Sequence, residues 1–279
     1  MNLEGKNISS CKQNHTKKLT NEQNINDLKV IIDDINNPTL HEIDNIKQTV
    51  SKFNLCIYSS KNKLESEKKL LEFVRLLGMK TYDCNNIDNG PVSKITNKRT
   101  DNMIEYIPYT SKKLNWHTDG YYNNCNKLIF SWLLHCVEPA KFGGENFLLD
   151  HHVVYEEYIK KYGSLCNLDR YDAFTIPENN INGRPSISSY IFSKDNSYNQ
   201  IHMKFSMRKN NININKEILY DYKNLIDIIK ETAKKKAVTT KLNKNEGLVT
   251  NNVLHGRNEF SDGETNRTLL RIRSYEKIQ

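Results

Sequence analysis

The chain has 279 residues, 37% of them hydrophobic and 27% charged, which is typical of a globular protein with a substantial core. Its longest apolar run, 128–137, is about half the length of a membrane span, and the first twenty residues hold no apolar signal segment, so we expect a cytoplasmic protein without membrane spans. The net charge of +8 comes from lysines spread along the chain without an aromatic-interleaved basic stripe, which favours a small, anionic partner over nucleic acid.

The first part of the chain is predicted to be largely helical. Residues 1–20 are polar and lack periodicity, so we expect a mobile N-terminal tail followed by a single domain over 21–279. Thr39 and Glu42 form a T-x-x-E capping box, and the apolar residues behind it recur at helical spacing as far as Phe53. A short strand, 55–58, follows, and then a second helix that ends at Gly78.

The rest of the chain is predicted to be mainly strands, because short runs rich in β-branched and aromatic residues alternate with Gly, Pro, Asn and Asp. Two helices interrupt these runs, one from the N-cap Asp150 to Gly163 and one after Asn215. Many strands without βαβ alternation predict an α+β, mainly β fold, a sandwich or jelly roll with helical additions. The predicted strands are 103–107, 128–137, 145–149, 172–176, 187–192, 201–205, 237–242, 248–254 and 268–275.

The segment 114–122 contains a possible metal-binding pair. On an extended chain, residues two apart point to the same side, so His117 and Asp119 can present an imidazole and a carboxylate to one point. Gly120 allows the chain to turn away directly after the pair. A lone H-x-D motif is common by chance, and a loop histidine bonded to a nearby carboxylate would have the same sequence.

A second imidazole must come from another part of the chain, and His255 is the best placed. It ends the predicted strand 248–254, and Gly256, which follows it, is expected to free the backbone beside a possible ligand. Two imidazoles and one carboxylate form the facial triad of Fe(II) oxygenases, which leaves two positions for a 2-oxo acid and one for O₂. Zinc accepts the same ligand types, so the ligands alone leave the metal open.

The other histidines in the strand region have simpler interpretations. His135 lies in an apolar strand and is expected in the core, and His202 is expected to have a structural role on its strand. His151 and His152 stand at a predicted helix start, where capping or solvent exposure explains them.

The last predicted strand carries three arginines. Arg267, Arg271 and Arg273 are separated by even steps and so are expected to share one strand face. A planar guanidinium binds a carboxylate through two parallel hydrogen bonds, as the distal carboxylate of 2-oxoglutarate would require. An outward, solvated basic face would have the same pattern.

Four segments together resemble the taurine dioxygenase (TauD/TfdA) family of Fe(II)/2-oxoglutarate enzymes. They are Asn115-Trp-His-Thr-Asp119, Gly143-Gly-Glu-Asn146, Val253-Leu-His-Gly-Arg257 and the terminal arginine strand. The resemblance covers the chain from about residue 45 to its end. It implies a double-stranded β-helix, a jelly-roll, cupin-like barrel with the iron near one mouth.

The resemblance also implies roles for individual residues. It assigns His117, Asp119 and His255 as the iron ligands and Arg267 as the partner of the distal 2-oxoglutarate carboxylate. Asn146 stands where the family often has a threonine that binds the same carboxylate, and an amide N–H can replace that hydroxyl. Arg271 occupies the position of an arginine that holds an anionic substrate group in taurine dioxygenase.

The expected activity is an Fe(II)- and 2-oxoglutarate-dependent oxygenase that uses O₂, oxidises a small molecule and releases succinate and CO₂. Tyr121, Tyr122 and Asn252 are further candidates for substrate contacts, with packing as the alternative. The other readings are desaturation or ring formation by the same cofactors, a nucleic-acid dioxygenase, and a non-enzymatic jelly-roll binding module. Family members are often oligomers, so a homo-oligomer is compatible with the resemblance.

Overall fold

The computed structural model describes residues 24–84, 90–97, 107–179, 184–208 and 212–279. The predicted N-terminal tail and all but the last residue of the predicted strand 103–107 lie outside these ranges. The helices are α1 (Asn24–Asp27), α2 (Leu40–Phe53), α3 (Glu67–Leu76), α4 (His151–Tyr162) and α5 (Leu219–Lys236), with short 3₁₀ helices at Ile107–Tyr109 and Lys216–Ile218.

The strands within the described ranges are β1 (Lys29–Ile32), β2 (Leu55–Ser60), β3 (Val92–Thr96), β4 (Leu114–His117), β5 (Ser131–Glu138), β6 (Phe142–Gly143), β7 (Asn146–Leu149), β8 (Phe174–Ile176), β9 (Ile187–Ser189), β10 (Phe192–Asp195), β11 (Gln200–Met203), β12 (Asn213–Ile214), β13 (Val238–Thr240), β14 (Glu246–Thr250), β15 (Leu254–Arg257), β16 (Phe260–Ser261) and β17 (Thr268–Ser274). These strands form two principal sheets and three small ones. The six-stranded major sheet has the order β1-β2-β14-β5-β17-β3, and the four-stranded minor sheet has the order β13-β7-β15-β4. The smaller sheets are β12-β8-β9, β10-β11 and β16-β6.

Three apolar clusters hold these layers together. One lies between the two principal sheets and joins Trp132 and Leu248 of the major sheet to Leu148 of the minor sheet. A second packs α2 and α3 on the outer face of the major sheet, and a third packs α4 and α5 on the outer face of the minor sheet. Alternate residues of a strand enter different clusters, as Leu248 and Val249 do, because side chains alternate across a sheet. The mainly β, double-stranded β-helix architecture with helical additions is confirmed.

The predicted single strand 248–254 is wrong, because the chain changes sheets within it. β14 belongs to the major sheet and β15 to the minor sheet, and residues 251–253 form the passage between them. Asn252 has a left-handed backbone with φ 50°, which asparagine tolerates better than most residues. His255 therefore lies inside the second strand instead of ending the first.

Most other local predictions are confirmed. The capping box of Thr39 and Glu42 forms at the start of α2, and Asp150 and Gly163 cap the two ends of α4. The predicted strand 187–192 is wrong in extent, because it divides into β9 and the start of β10. None of the described helices, the 18-residue α5 included, combines the length and the apolar character that crossing a membrane requires.

Candidate metal centre

The two candidate histidine ligands lie on neighbouring strands of the minor sheet. β15 pairs with β4 so that His255 stands directly opposite His117, and the centroids of the two imidazole rings are 4.1 Å apart. One ligand-type atom from each of His117, Asp119 and His255 lies within 4.8 Å of the others. Trp132 of the major sheet packs on His255, with ring centroids 4.6 Å apart. The fold thus brings together the three residues that the sequence singled out.

Both imidazoles are oriented by hydrogen bonds within their own strands. The Nδ1–H group of His117 donates to the Asn115 carbonyl at 2.9 Å, and that of His255 donates to the Val253 carbonyl at 2.9 Å. Burial, together with His255, lowers the pKa of His117 to about 3, and burial also lowers the pKa of His255. Each ring is therefore neutral at pH 7 and keeps an Nε2 lone pair for a metal.

Asp119 supplies the negative charge of the centre from the turn after β4. Its Oδ1 atom is 3.5 Å from Nη1 of Arg271, and its buried Oδ2 atom has no hydrogen-bond partner among the described residues. Burial by itself would raise the pKa of this carboxyl, but Arg271, Arg273 and the two imidazoles hold it well below its ordinary value. Such a buried, ionised oxygen without a partner is the kind of atom that a divalent cation satisfies.

Two glycines flank the centre for different physical reasons. Gly120 has φ 69°, so the turn after Asp119 requires a left-handed residue, and an added Cβ would also meet the Ile129 side chain. Gly256 was expected to free the backbone beside His255, but it lies inside β15, where the Phe147 ring and the Leu114 carbonyl leave no room for a Cβ. Close packing, not conformational freedom, therefore explains Gly256.

Asn252 fixes the loop that carries Asp119. Its Oδ1 atom accepts a hydrogen bond from the Asp119 backbone N–H at 2.9 Å. Its Nδ2 group donates to the Asp119 carbonyl at 3.0 Å and to the Ile129 carbonyl at 2.7 Å. Both Nδ2 hydrogens are used in this way, so we propose that Asn252 positions Asp119 instead of contacting a substrate.

Replacement of Asn252 by alanine is expected to lower the free energy of unfolding by about 3 kcal/mol, because the buried N–H and carbonyl of Asp119 lose their partner and the Ile129 carbonyl keeps only His202. Urea unfolding of the metal-free protein measures this change. Asn252→Gly is the matched control, because glycine accepts the left-handed backbone yet also lacks the amide. If glycine restores wild-type stability, backbone conformation and not the hydrogen bonds explains the effect.

The arginines near the centre differ in how their charge is satisfied. Arg257 donates to the carbonyls of Pro108, Thr110 and Lys112, so it ties the segment before β4 to the minor sheet. Arg273 forms an ion pair with Asp83 at 2.5 Å and donates to the Tyr122 hydroxyl at 2.6 Å. Both guanidinium groups thus have acceptors inside the protein.

Arg267 and Arg271 lack comparable partners. No carboxylate in the described ranges forms an ion pair with the Arg267 guanidinium, which stacks 5.1 Å from the Phe260 ring centroid; burial lowers its pKa to about 10. Among the described residues, Arg271 forms an ion pair with Asp119 alone, at 3.5 Å, and its buried Nε–H group has no acceptor there. Arg267, by contrast, is a buried cation without a carboxylate partner in the same ranges, which favours binding of an anion.

Arg267 directly precedes β17, and Arg271 and Arg273 lie within the strand. The strand pairs with β3 in regular register from Thr268 to Ile272, and the extra residue at the register shift with β5 belongs to β5. An added Cβ on Gly144 would come within 3.5 Å of the Arg267 Nε atom, so the glycine segment 143–144 lies against this arginine. Asn146 begins the next strand, and its buried Nδ2 group has no partner in the ranges described.

The two tyrosines after the H-x-D pair are both held by neighbours. Tyr121 is buried in the cluster under α4 and α5, and burial raises the pKa of its hydroxyl, which bonds with Ser206 and Arg208. Tyr122 is partly buried and packs edge-to-face on Tyr121, with centroids 5.2 Å apart. The Tyr122 hydroxyl accepts a hydrogen bond from Arg273, which lies two residues after Arg271 on β17.

The sequence did not predict the roles of two residues in this region. Asp83 neutralises Arg273, accepts the Tyr275 hydroxyl at 2.7 Å, and lies far from the metal motifs in the chain. His151, expected at a capping or exposed position, is buried beside the N-cap Asp150. No local pattern marks either residue, because their partners come from distant segments.

Comparisons with known proteins agree with this architecture. The model of the family "Taurine catabolism dioxygenase TauD, TfdA family" matches residues 17–273, whereas no curated protein matches the sequence significantly. Similar solved structures include PvcB of Pseudomonas aeruginosa, with 12% identity, a TM-score of 0.60, and coverage of 93% of this chain and 90% of that one. PvcB is described as an Fe, alpha-ketoglutarate dependent oxygenase from an isonitrile synthetic pathway.

Two further structures share the fold. An asparagine oxygenase in complex with Fe(II), 3-hydroxyasparagine and succinate has 12% identity, a TM-score of 0.59, and coverage of 88% of this chain and 93% of that one. The non-heme iron oxygenase OrfP in complex with Fe and alpha-ketoglutaric acid has 14% identity, a TM-score of 0.59, and coverage of 84% and 79%. With the family match over nearly the whole sequence, the chain belongs to the TauD/TfdA family of Fe(II)/2-oxoglutarate-dependent dioxygenases.

Proposed function

We propose that this protein uses Fe(II), 2-oxoglutarate and O₂ to hydroxylate a small molecule that carries an anionic group. The observation that carries the proposal is the convergence of His117, Asp119 and His255 within 4.8 Å, with the Arg271 guanidinium 3.5 Å from Asp119. The donor set fits Fe(II), because two neutral imidazoles and one ionised carboxylate leave open positions on the metal. The orphaned Asp119 Oδ2 atom supports this fit.

In this proposal His117, Asp119 and His255 hold the iron. Arg267 binds the distal carboxylate of 2-oxoglutarate, and the Nδ2 group of Asn146, which has no partner among the described residues, is available to donate to the same cosubstrate. If bound there, Fe(II) and 2-oxoglutarate would supply the electrons that activate O₂, which is the oxidant, with release of succinate and CO₂. The chain would hold these groups, and the Trp132 ring, packed on His255, would cover the centre on the side of the major sheet.

Arg271 is the residue that best fits an anionic group on the substrate. Within the described ranges, Asp119 is the one carboxylate that forms an ion pair with Arg271, and a metal on Asp119 would weaken this pair, so the cation would accept a new anionic partner next to the iron. Arg273 is already neutralised by Asp83, and it holds Tyr122 at the edge of the same region. The amino acids named in the structures of the asparagine oxygenase and of OrfP, 3-hydroxyasparagine and L-Arg, carry such a carboxylate. We therefore propose small carboxylates, amino acids first, as the substrate class.

A screen of amino acids and other small carboxylates, scored by substrate-dependent succinate formation, tests this function. We expect at least one compound to raise succinate release above the uncoupled rate, with incorporation of one oxygen atom in the product. Mass spectrometry separates hydroxylation from desaturation or ring formation by the same cofactors. Absence of any Fe(II)-dependent conversion of 2-oxoglutarate, even uncoupled, would contradict the proposal. The cytoplasmic location, the single domain over 21–279 and a homo-oligomer stay predictions.

A further inference from the structure

A buried network of charged and phenolic side chains lies beside the candidate iron centre, on the side of the major sheet. It joins Asp83, from the segment between α3 and β3, to Arg273 of β17 and to Tyr122 of the turn after β4. Arg273 stands opposite Trp132 of β5, which lies in the cluster between the two principal sheets. Opposite residues of paired strands share a face, and so do residues two apart, so Arg271 and Arg273 point into the same interior.

Asp83 is the centre of this network. Its carboxylate accepts hydrogen bonds from Nη2 of Arg273 at 2.5 Å, from the Tyr275 hydroxyl at 2.7 Å and from Nδ2 of Asn123 at 3.3 Å. Its backbone N–H group also donates to the Arg273 carbonyl at 3.0 Å. The ion pair is well shielded, since the side chains of Arg273 and Asp83 are 3% and 12% exposed. Asp83 therefore cancels the charge of Arg273 inside the protein.

Arg273 uses a second nitrogen to hold Tyr122. Its Nη1 group donates to the Tyr122 hydroxyl oxygen at 2.6 Å, and the Tyr122 ring packs edge-to-face on Tyr121. A phenol whose oxygen accepts a hydrogen bond keeps its own hydrogen to donate. That hydrogen has no acceptor among the residues that the structure describes. Tyr122 is therefore a fixed hydrogen-bond donor beside the candidate iron centre.

Arg271 supplies a second donor on the same face of β17. Its buried Nε–H group has no acceptor within the described part of the chain, and its Nη1 atom is 3.5 Å from Oδ1 of Asp119. A planar carboxylate accepts hydrogen bonds through both oxygens, so it can join a guanidinium donor to a hydroxyl donor. Arg271 and Tyr122 thus offer one donor to each oxygen of a carboxylate.

The charges of the network limit the negative charge that a bound group can carry. Asp83 neutralises Arg273, and Asp119 belongs to the candidate iron centre, so Arg271 leaves a single positive charge for the ligand. A singly charged carboxylate balances this charge. A doubly charged group, such as a phosphate monoester, would place an uncompensated charge in a buried site, which is costly.

We propose that Arg271 and the Tyr122 hydroxyl together bind the anionic group of the substrate, and that Asp83 is a specificity-determining residue that restricts this group to a single negative charge. The inference rests on the proposed function and narrows its substrate class. Asp83 and Arg273 are positioning residues, because Asp83 removes a charge and Arg273 holds the Tyr122 hydroxyl. Loss of the Asp83 carboxylate would make Arg273 a second unpaired cation, for which a dianion is the better ligand.

The test uses the full chain without oxygen, loaded with Fe(II) and with saturating 2-oxoglutarate, so that the cosubstrate site is occupied. The probes are acetate and methyl phosphate at about pH 8, because they are small groups that carry a single and a double negative charge. Broadening of their methyl proton NMR signals by Fe(II) measures binding next to the iron. We expect the wild-type protein to bind acetate more tightly than methyl phosphate.

Two variants separate the two parts of the proposal. Asp83→Asn is expected to shift the preference toward methyl phosphate by about 10-fold, because Arg273 loses its counterion. Tyr122→Phe is expected to weaken acetate binding about 10-fold without changing the affinity for Fe(II) or 2-oxoglutarate. Tyr82→Phe is the matched control, since its hydroxyl donates to the Met79 carbonyl, and it is expected to leave the binding of both probes unchanged.

Acetate binding that Tyr122→Phe leaves unchanged, or that survives Arg271→Met as direct coordination to the iron, would overturn the proposal. An unchanged preference in a folded Asp83→Asn protein would do the same. If Asp83→Asn does not fold, Arg273→Met tests the same pair. The unpaired Asp83 carboxylate is then expected to weaken methyl phosphate binding more than acetate binding, and equal losses contradict the proposal. Wild-type protein that converts 2-oxoglutarate with Fe(II) but binds no acetate next to the iron overturns this inference alone, whereas absence of that conversion contradicts the proposed function.

Discussion

Replacement of His255 by alanine is expected to abolish 2-oxoglutarate turnover and to weaken Fe(II) binding by more than about 100-fold, because only His117 and Asp119 would remain as ligands. The oriented Nε2 lone pair of His255 has no substitute, since Trp132 covers the ring on the side of the major sheet. Fe(II) affinity measured without oxygen, together with succinate formation, checks both parts of the prediction.

The control for this change is His41→Ala, which removes an exposed imidazole distant from the centre in the sequence. Both variants need wild-type circular dichroism and comparable unfolding temperatures, so that loss of iron is separated from loss of fold. A His255→Ala protein that binds Fe(II) as tightly as the wild type would remove this residue from the metal centre.

Replacement of Arg267 by methionine is expected to raise the KM for 2-oxoglutarate about 100-fold, because a buried charged hydrogen-bond partner of the cosubstrate would be lost. The same change is expected to leave the unfolding temperature unchanged or higher. The reason is that the Arg267 guanidinium has no internal carboxylate partner among the described residues, and its pKa is lowered to about 10 by burial. Steady-state kinetics and thermal unfolding measure the two effects.

Arg257 is the matched control, since it is also buried and lies in the same part of the fold. Its guanidinium donates to backbone carbonyls before β4, so Arg257→Met is expected to lower the unfolding temperature. The two arginines thus separate an anion-binding role from a structural one. An Arg267→Met enzyme with normal KM for 2-oxoglutarate would place the cosubstrate carboxylate elsewhere.

The sequence by itself determined the features that depend on near neighbours. The helices α2 and α4 and their caps follow from apolar spacing and from Thr39 and Asp150. The H-x-D pair, the later His255 and the arginine-rich strand indicated the chemistry, because metal and carboxylate ligands must be drawn from a few residue types. The double-stranded β-helix itself came from the resemblance of these motifs to the family, and it is confirmed.

The tertiary structure decided everything that depends on pairing between distant segments. The change of sheet at 251–253 leaves no periodic signal, because both halves are apolar strands, yet it sets His255 opposite His117. Which arginines are satisfied inside the protein also depends on distant segments: Asp83 neutralises Arg273, and the Thr110 carbonyl accepts from Arg257. Burial and hydrogen-bond partners are properties of the packed molecule. They alone distinguish a structural arginine such as Arg257 from a candidate anion-binding arginine such as Arg267.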